Sequence, residues 1–364
     1  LTSKLWFQTG VGILLAMLII FMFQQIQEVF NPLVIIAKTI FLPLLIGGVL
    51  FYLTRPLLHF LEKRKLPRWA SIVFVLVVVV AAFWLIYAMI APVISSQAGS
   101  LAKNTPQMIQ QGEKWVDYLL SHRDDLPPQA QESVENAINN VSNNLNEWTV
   151  GFGSWLLTFL QNFFQGLFLL VLAPFFLVYM LKDHEKFAPF IAGFFHGERR
   201  SWIRKTLHDL DVTLRSYIQG QLLVSFLVGI MLLIGYLIIG LDYALLLALF
   251  GMITNVIPFL GPYLAVVPAM FIALLQEPQM ALYVAVIMLI AQQIESNFIS
   301  PNVMGKALDI HPLTVITVIL AAGNIAGIWG VILAIPFYGI VKTIASNLYQ
   351  KRKEIRKAAG KEID

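Results

Sequence analysis

Two long apolar stretches, residues 244–276 and 313–345, are each interrupted in the middle by asparagine, glycine and, in the first, proline. An unbroken helix of either length would run about 50 Å, against a hydrocarbon core of about 30 Å. Two arms of about 14 to 17 residues would each reach only most of the way across. The interruptions also resemble one another. The first reads NVIPFLGPYLAVVP from Asn255 to Pro268, and the second reads NIAGIWGVILAIP from Asn324 to Pro336. Laid together without a gap, Asn255 meets Asn324, Gly261 meets Gly330, and Leu264-Ala265 meets Leu333-Ala334; a slip of one residue then brings Pro268 onto Pro336. Re-entrant helical hairpins fit these lengths better than the alternative, long tilted helices kinked by Gly and Pro.

Non-helical backbone at membrane depth survives only where it is buried in protein or lines a polar cavity. The hairpin tips are therefore the first place to look for a substrate. A tip joins one helix end with free amides to another with free carbonyls, an arrangement suited to a polar group or a cation. Thr254, Asn255 and Asn324 add side-chain partners there, while Pro258, Gly261, Pro262, Gly323 and Gly327 read as shapers of the backbone.

Composition places the rest of the chain around these stretches. It is 58% hydrophobic and only 13% charged, with a mean hydropathy of +0.75, which is the profile of a polytopic membrane protein. Further apolar runs at residues 5–26, 33–53, 70–91, 152–181, 216–240 and 279–299 are each long enough to span. The sequence after the first, QQIQEVFNP, lacks a small-residue cleavage pattern, so that run is expected to be a retained span. With no cysteine in the chain, disulfides and thiolate metal sites are excluded.

Charge placement sets the expected orientation. Arg55, Lys63, Arg64, Lys65 and Arg68 face a single acid, Glu62, and the tail after Tyr349 carries six basic residues against three acids. Both regions should be cytoplasmic. Between residues 92 and 150, only Lys103, Lys114 and Arg123 stand against seven acids, which suits the outer face. Both termini come out cytoplasmic whether the broken stretches are hairpins or spans.

The predicted organisation is three transmembrane helices in residues 1–91, an extracytoplasmic helical layer in 92–150, a span in 151–181 and a cytoplasmic amphipathic segment in 182–215. A transport core with both hairpins follows in 216–349, then a basic tail in 350–364. In the external layer, Val134, Ile138, Val141, Leu145 and Trp148 form one apolar helical stripe, and Met108, Trp115 and Leu119 form a shorter one. These stripes are expected to pack on a partner helix or on the membrane domain. Residues 182–215 place Trp202, Leu207 and Leu210 beside Arg199, Arg200, Arg204 and Lys205, as an interfacial helix would. Acids interleave these cations, so anionic lipid accounts for them and a nucleic acid is not an expected partner.

Between Ser216 and Gly305 the only formal charges are Asp242, Glu277 and Glu295. The first two flank the first hairpin near the outer surface. Glu295 lies inside an apolar span, where an ionised carboxylate must face a polar cavity, bind a cation or hold a proton. It is the leading candidate for a substrate or coupling residue. Gln292, Ser296 and Asn297 share its length of helix. A carboxylate satisfied by helix ends or by Lys306 is the structural alternative. Gln219 and Gln221 either line the same cavity or make helix-to-helix hydrogen bonds. No phosphate-binding GxxxxGK[ST] loop, zinc-binding histidine spacing or partnered hydrolase motif occurs, so no enzyme and no cofactor is expected.

As a set, NVIPFLGP at 255–262, QQIESNFISPNVMGKALDIHPLTV at 292–315 and GIWGVILAIP at 327–336 resemble the autoinducer-2 exporter family of bacterial membrane proteins. The likeness extends through RPL at 55–57 and KDHEKF at 182–187. It implies a homo-oligomeric transporter of the bacterial inner membrane, a pentamer, with re-entrant hairpins and an elevator-like movement. It also implies export of the hydroxylated signal autoinducer-2 or, in some members, exchange of sodium or lithium for protons. A polyhydroxylated solute needs hydrogen-bond partners, which Asn255, Gln292, Asn297 and Asn324 supply. Cation exchange needs a carboxylate that alternates between metal and proton, and Glu295 is the one placed for it.

The sequence thus predicts an all-α polytopic membrane protein with six full spans, two re-entrant hairpins (or eight spans) and a small external helical layer. The expected activity is secondary transport of a small polar solute by alternating access. The alternatives are monovalent cation/proton antiport and a membrane scaffold that transports nothing.

Overall fold

The computed structural model describes residues 5–26, 31–121, 147–162, 173–304 and 310–361, with a few positions between 140 and 144. Among these residues no strand occurs, and the chain is an all-α polytopic membrane protein. The helices are α1 (Leu5–Ile26), α2 (Asn31–Lys63), α3 (Arg68–Ser121), α4 (residues 147–162), α5 (Ala173–Gly193), α6 (Gly197–Ile238), α7 (Ala244–Thr254), α8 (Leu260–Gln276), α9 (Pro278–Ile294), α10 (Ser300–Met304) and α11 (Pro312–Lys361). Among the described residues, five helices (α2, α3, α6, α9 continued through α10, and α11) are long and apolar enough to cross a membrane. Large apolar side chains stand exposed along them, such as Val77, Trp84, Met89 and Leu289. In water so large an exposed apolar surface would drive association; in lipid it is the solvated surface.

Three clusters of buried side chains hold the helices. Leu50 and Leu58 of α2, Val75 and Val79 of α3, and Leu177 and Leu181 of α5 form the first. The second joins Leu101 and Met108 of α3 and Leu156 and Leu160 of α4 to the apolar faces of α6, α7, α8 and α9, centred on Leu232, Tyr236, Leu246, Phe250 and Ile272. The third packs Tyr217 and Ile257 against Val315, Ile319, Ala334 and Ile335 of α11.

Both apolar stretches with interrupted centres reverse direction. α7 has 11 residues, about 16 Å of helix and too short to cross a bilayer. After a turn at residues 255–259, α8 runs back along it. The crossing of the arms is so close that a methyl group at Gly261 would collide with the Thr254 carbonyl and the Cα of Asn255. In α11 the helix breaks at Ala326 and Gly327, the latter at φ +59°, a conformation that glycine adopts without steric cost. A methyl at Gly330 would collide with the Ala322 carbonyl. The sequence match of Gly261 with Gly330 therefore marks the same place in both hairpins: the point where backbone lies on backbone.

Two expectations about organisation are changed. No separate layer begins at residue 92, because α3 continues through Pro92 and Pro106 to Ser121, a rod of about 80 Å. Met108 is buried against the membrane domain, as its stripe required. Val134, Ile138, Val141 and Leu145 lie outside the described residues, and Trp148 is exposed. Nor is 182–215 a separate interfacial helix. It is the end of α5 and the first half of α6, joined by a turn at 194–196, and α6 runs on unbroken into its apolar half. This half of α6 is fastened to the end of α11: Trp202 Nε1 donates to the Asn347 carbonyl at 3.3 Å, and Asn347 Nδ2 to Asp209 at 2.9 Å.

Candidate substrate site at the first hairpin tip

The turn between α7 and α8 is held from within. The amides of Asn255, Val256, Ile257, Leu260 and Gly261 donate to the carbonyls of Gly251, Ile253, Thr254, Pro258 and Ile257, respectively, at 2.8–3.3 Å. Phe259 closes the turn at φ +64°, a strained conformation for a bulky residue. Thr254 is buried with its hydroxyl donated to the Phe250 and Gly251 carbonyls. The expected free amides are thus mostly engaged, because the turn winds its own hydrogen bonds. What the tip offers is side chain: Asn255, 1% exposed, with its Nδ2 buried and unpartnered.

Gln221 of α6 fixes this tip. It is buried, and its Nε2 donates to the Asn255 main-chain carbonyl at 2.7 Å. Gln219, two residues earlier, points the other way and donates to the Tyr52 carbonyl of α2. Both glutamines therefore make helix-to-helix bonds, and only Gln221 belongs to the site.

Facing the Asn255 amide is the Glu295 carboxylate. The two side chains are neighbours that interact, but without a well-formed hydrogen bond to either Asn255 Nδ2 or Glu295 Oε2, atoms that are both buried. Glu295 sits where α9 gives way to a π-helical turn, Glu295–Ile299, whose register closes with the Ser300 amide on the Glu295 carbonyl. Such turns insert one residue into a helix and re-aim its side chains, and they recur at functional sites. Nothing in the local sequence announced it.

The remaining sequence candidates separate from this pair. Gln292 is half-buried one turn before Glu295, whereas Asn297 is exposed and donates to Gln293 Oε1 at 2.8 Å. Asn324 stands exposed at the second tip and donates to the Leu320 carbonyl within its own helix. Pro262 is buried in the first turn of α8, Pro258 is half-buried in the loop, and Gly323 packs near Val331. Lys306 lies outside the described residues. Among the described residues, no three acidic, histidine or cysteine side chains gather into a metal cluster.

Other polar contacts hold the site from its two sides, and sequence reading missed them. Gln97 Oε1 of α3 accepts from the Leu246 amide at 3.1 Å, capping the start of α7. Asn104 donates to Tyr243 Oη, and Gln276 bonds both the Asp242 amide and the Gly240 carbonyl. At the opposite end Arg55 of α2 donates to both oxygens of Asp211 of α6, at 2.7 and 3.0 Å. Arg68 binds Glu185 at 2.8 Å and the Leu181 carbonyl at 3.0 Å. The Arg68 hydrogen bond holds the Glu185 carboxyl below its usual range, and burial, with Arg55 and Arg68 nearby, holds the His184 imidazole below its own. Glutamines and asparagines in a membrane protein were legible as polar, but not which of them would be caps.

The fold defines a multi-pass membrane protein, with a polar centre at the turn between two short apolar helices. The AI-2E family transporter profile matches residues 11–350, and the chain belongs to that family. It is 34% identical to YueF of Bacillus subtilis over 96% of this chain and 94% of that one. It is 30% identical to YrrI of the same organism over 94% and 96%, and 25% identical to PerM of Escherichia coli over 83% and 85%. These relatives carry provisional names, transport protein for the first two and permease for PerM. The chain is therefore a membrane transporter by family.

Proposed function

We propose that this protein is a secondary transporter that exports a small polar solute, autoinducer-2 being the solute its family is named for, by alternating access around the first hairpin tip. The observation that carries the reading is the facing pair Asn255 and Glu295, a buried amide and a half-buried carboxylate that meet without a well-formed hydrogen bond. Burying a carboxylate in the membrane costs at least about 2.5 kcal/mol, and an unpaired buried amide about 1–3 kcal/mol. A hydroxylated solute satisfies both, accepting from Asn255 Nδ2 and donating to Glu295. The strain at Phe259 and the π-turn under Glu295 are what a preformed polar centre requires of its backbone.

Both hairpins are re-entrant in this reading, the first entering from the outer face and the second from the cytoplasm. The basic residues from Arg55 to Arg68 and those of the α11 tail support a reading in which both termini face the cytoplasm, with the protein in a bacterial inner membrane. A homo-oligomer, a pentamer on the family resemblance, would cover much of the apolar surface that one copy exposes.

The second reading is sodium or lithium/proton antiport. It is favoured by the solitary acid: one carboxylate can alternate between a proton and a monovalent cation in a one-for-one exchange. A scaffold that transports nothing has no need of a carboxylate such as Glu295 within an apolar span.

Flux in proteoliposomes separates the three. Labelled autoinducer-2 is loaded beside imposed proton, sodium and lithium gradients, for wild type and Glu295→Gln. Export expects solute flux that falls in the variant without a cation requirement. Antiport expects cation-dependent proton movement that vanishes in the variant. Protein that moves neither overturns transport.

A further inference from the structure

We propose that the cleft between α2, α6 and the returning arm of α11 is a lipid site, holding an acyl chain of an anionic phospholipid whose phosphate rests on Arg215. The cleft encloses about 330 Å³, bounded by Val49 and Tyr52 of α2, Ile218 and Gln221 of α6, and Pro336 and Phe337 of α11. It touches the first hairpin through Val256, the neighbour of Asn255.

Its lining decides what can fill it. At about 30 Å³ per molecule, that volume would take about ten waters, each needing two to four polar partners. The Gln221 amide is already donated to the Asn255 carbonyl, and apart from the Tyr217 hydroxyl, which one water would satisfy, nearly all the other walls are apolar. Neither water nor a polyol is served by such walls, whereas a hydrocarbon chain is. All three bounding helices are long and apolar enough to cross the bilayer, so acyl chains are the apolar molecules at hand.

Charge selects the headgroup. Two cations and one acid, Arg55, Arg215 and Asp211, neighbour the Tyr52 hydroxyl at one end of the cleft, so one positive charge is in excess there. Arg55 is neutralised by Asp211 at 2.7 Å. Arg215 follows the cleft-lining Leu214, is half-buried, and has no carboxylate within ion-pair distance among the described residues. A phosphate at that depth pairs with Arg215 while its chain enters between α2 and α11. The lipid then buttresses Val256 and, through it, the tip that carries Asn255.

The test uses the full chain in detergent and does not depend on what is transported. Native mass spectrometry counts lipid retained after exposure to phosphatidylglycerol or phosphatidylcholine with identical acyl chains. Wild type is expected to keep phosphatidylglycerol about fivefold better, the effect of about one basic residue. Arg215→Gln should bind both lipids equally. Ile218→Trp, which fills the cleft, should lose both, and Val49→Phe is the milder filling variant should the tryptophan protein not fold. Equal retention of the two lipids by wild type, or undiminished retention by a folded filling variant, overturns the proposal. So does a cleft covered by a second copy, read as lipid-free oligomers that release lipid sites only on dissociation. Wild type that moves no solute or cation in proteoliposomes, with its lipid retention intact, would count against the transport reading alone.

Discussion

The two hairpins begin from nearly the same string and end in opposite surroundings. At the first tip Asn255 is 1% exposed, held by Gln221 and turned towards Glu295. At the second, Asn324 is exposed and bonded only within its own helix, beside Ile325 at 85% exposure. The arms are alike, since both cross at a glycine that admits no side chain. What differs is the neighbour. The first hairpin is enclosed by α4, α6, α9 and the long α3, whereas the second is flanked by α6 and by the first tip. A repeated motif thus specifies how the chain turns, and its surroundings specify whether the turn becomes a site.

The largest effect that would test this contrast comes from the side chains. Glu295→Gln should lower coupled flux about a hundredfold, equivalent to about 2.8 kcal/mol, while Asn324→Ala should stay within about twofold. Flux in proteoliposomes reads both, and equal losses would erase the distinction between the tips. The arms predict similarity instead. Gly261→Ala and Gly330→Ala should each destabilise by about 1–3 kcal/mol, seen as a comparable fall in thermal stability in detergent. A tolerated alanine at either place would mean that its arms do not meet.

A smaller effect sharpens the first tip alone. Gln221→Leu keeps the shape of the side chain but leaves the buried Asn255 carbonyl without its donor, at about 1–3 kcal/mol. Gln219→Leu should leave solute affinity near wild type, because its partner is the Tyr52 carbonyl. The smallest effect lies far from both tips. The Glu185 carboxyl is lowered in the fold from its ordinary 4.5, chiefly by Arg68, so its contribution is complete above that value and disappears as pH falls through the folded one. Glu185 is exposed, and screening limits the change to a few tenths of a kcal/mol. Arg68→Gln should abolish that acid-limb dependence in a thermal-shift titration.

The two chain reversals were legible because breakers stand in the middle of long apolar stretches. Gly261 and Gly330 could be matched from sequence because close backbone contact excludes every other residue. Glu295 stood out by being the lone acid within an apolar span. The π-turn beneath it was not legible, since one inserted residue leaves no trace in composition or periodicity and is stabilised by tertiary contacts. The unequal tips were not legible either, because Asn255 and Asn324 differ in what packs on them rather than in what they are. Pro92 read as a boundary, yet α3 passes through it, as membrane helices do when neighbours compensate the missing bond.

That continuous α3 has a mechanical consequence. Its first half is anchored by Val75 and Val79 among α2 and α5, and its second half by Leu101, Met108, Gln97 and Asn104 at the root of the first hairpin. One rod is therefore clamped at both ends to different bodies. Any sliding of one body past the other must be absorbed in the free length between Val79 and the Gln97 clamp. Pro92, which removes a helical hydrogen bond within that length, is where the rod flexes first.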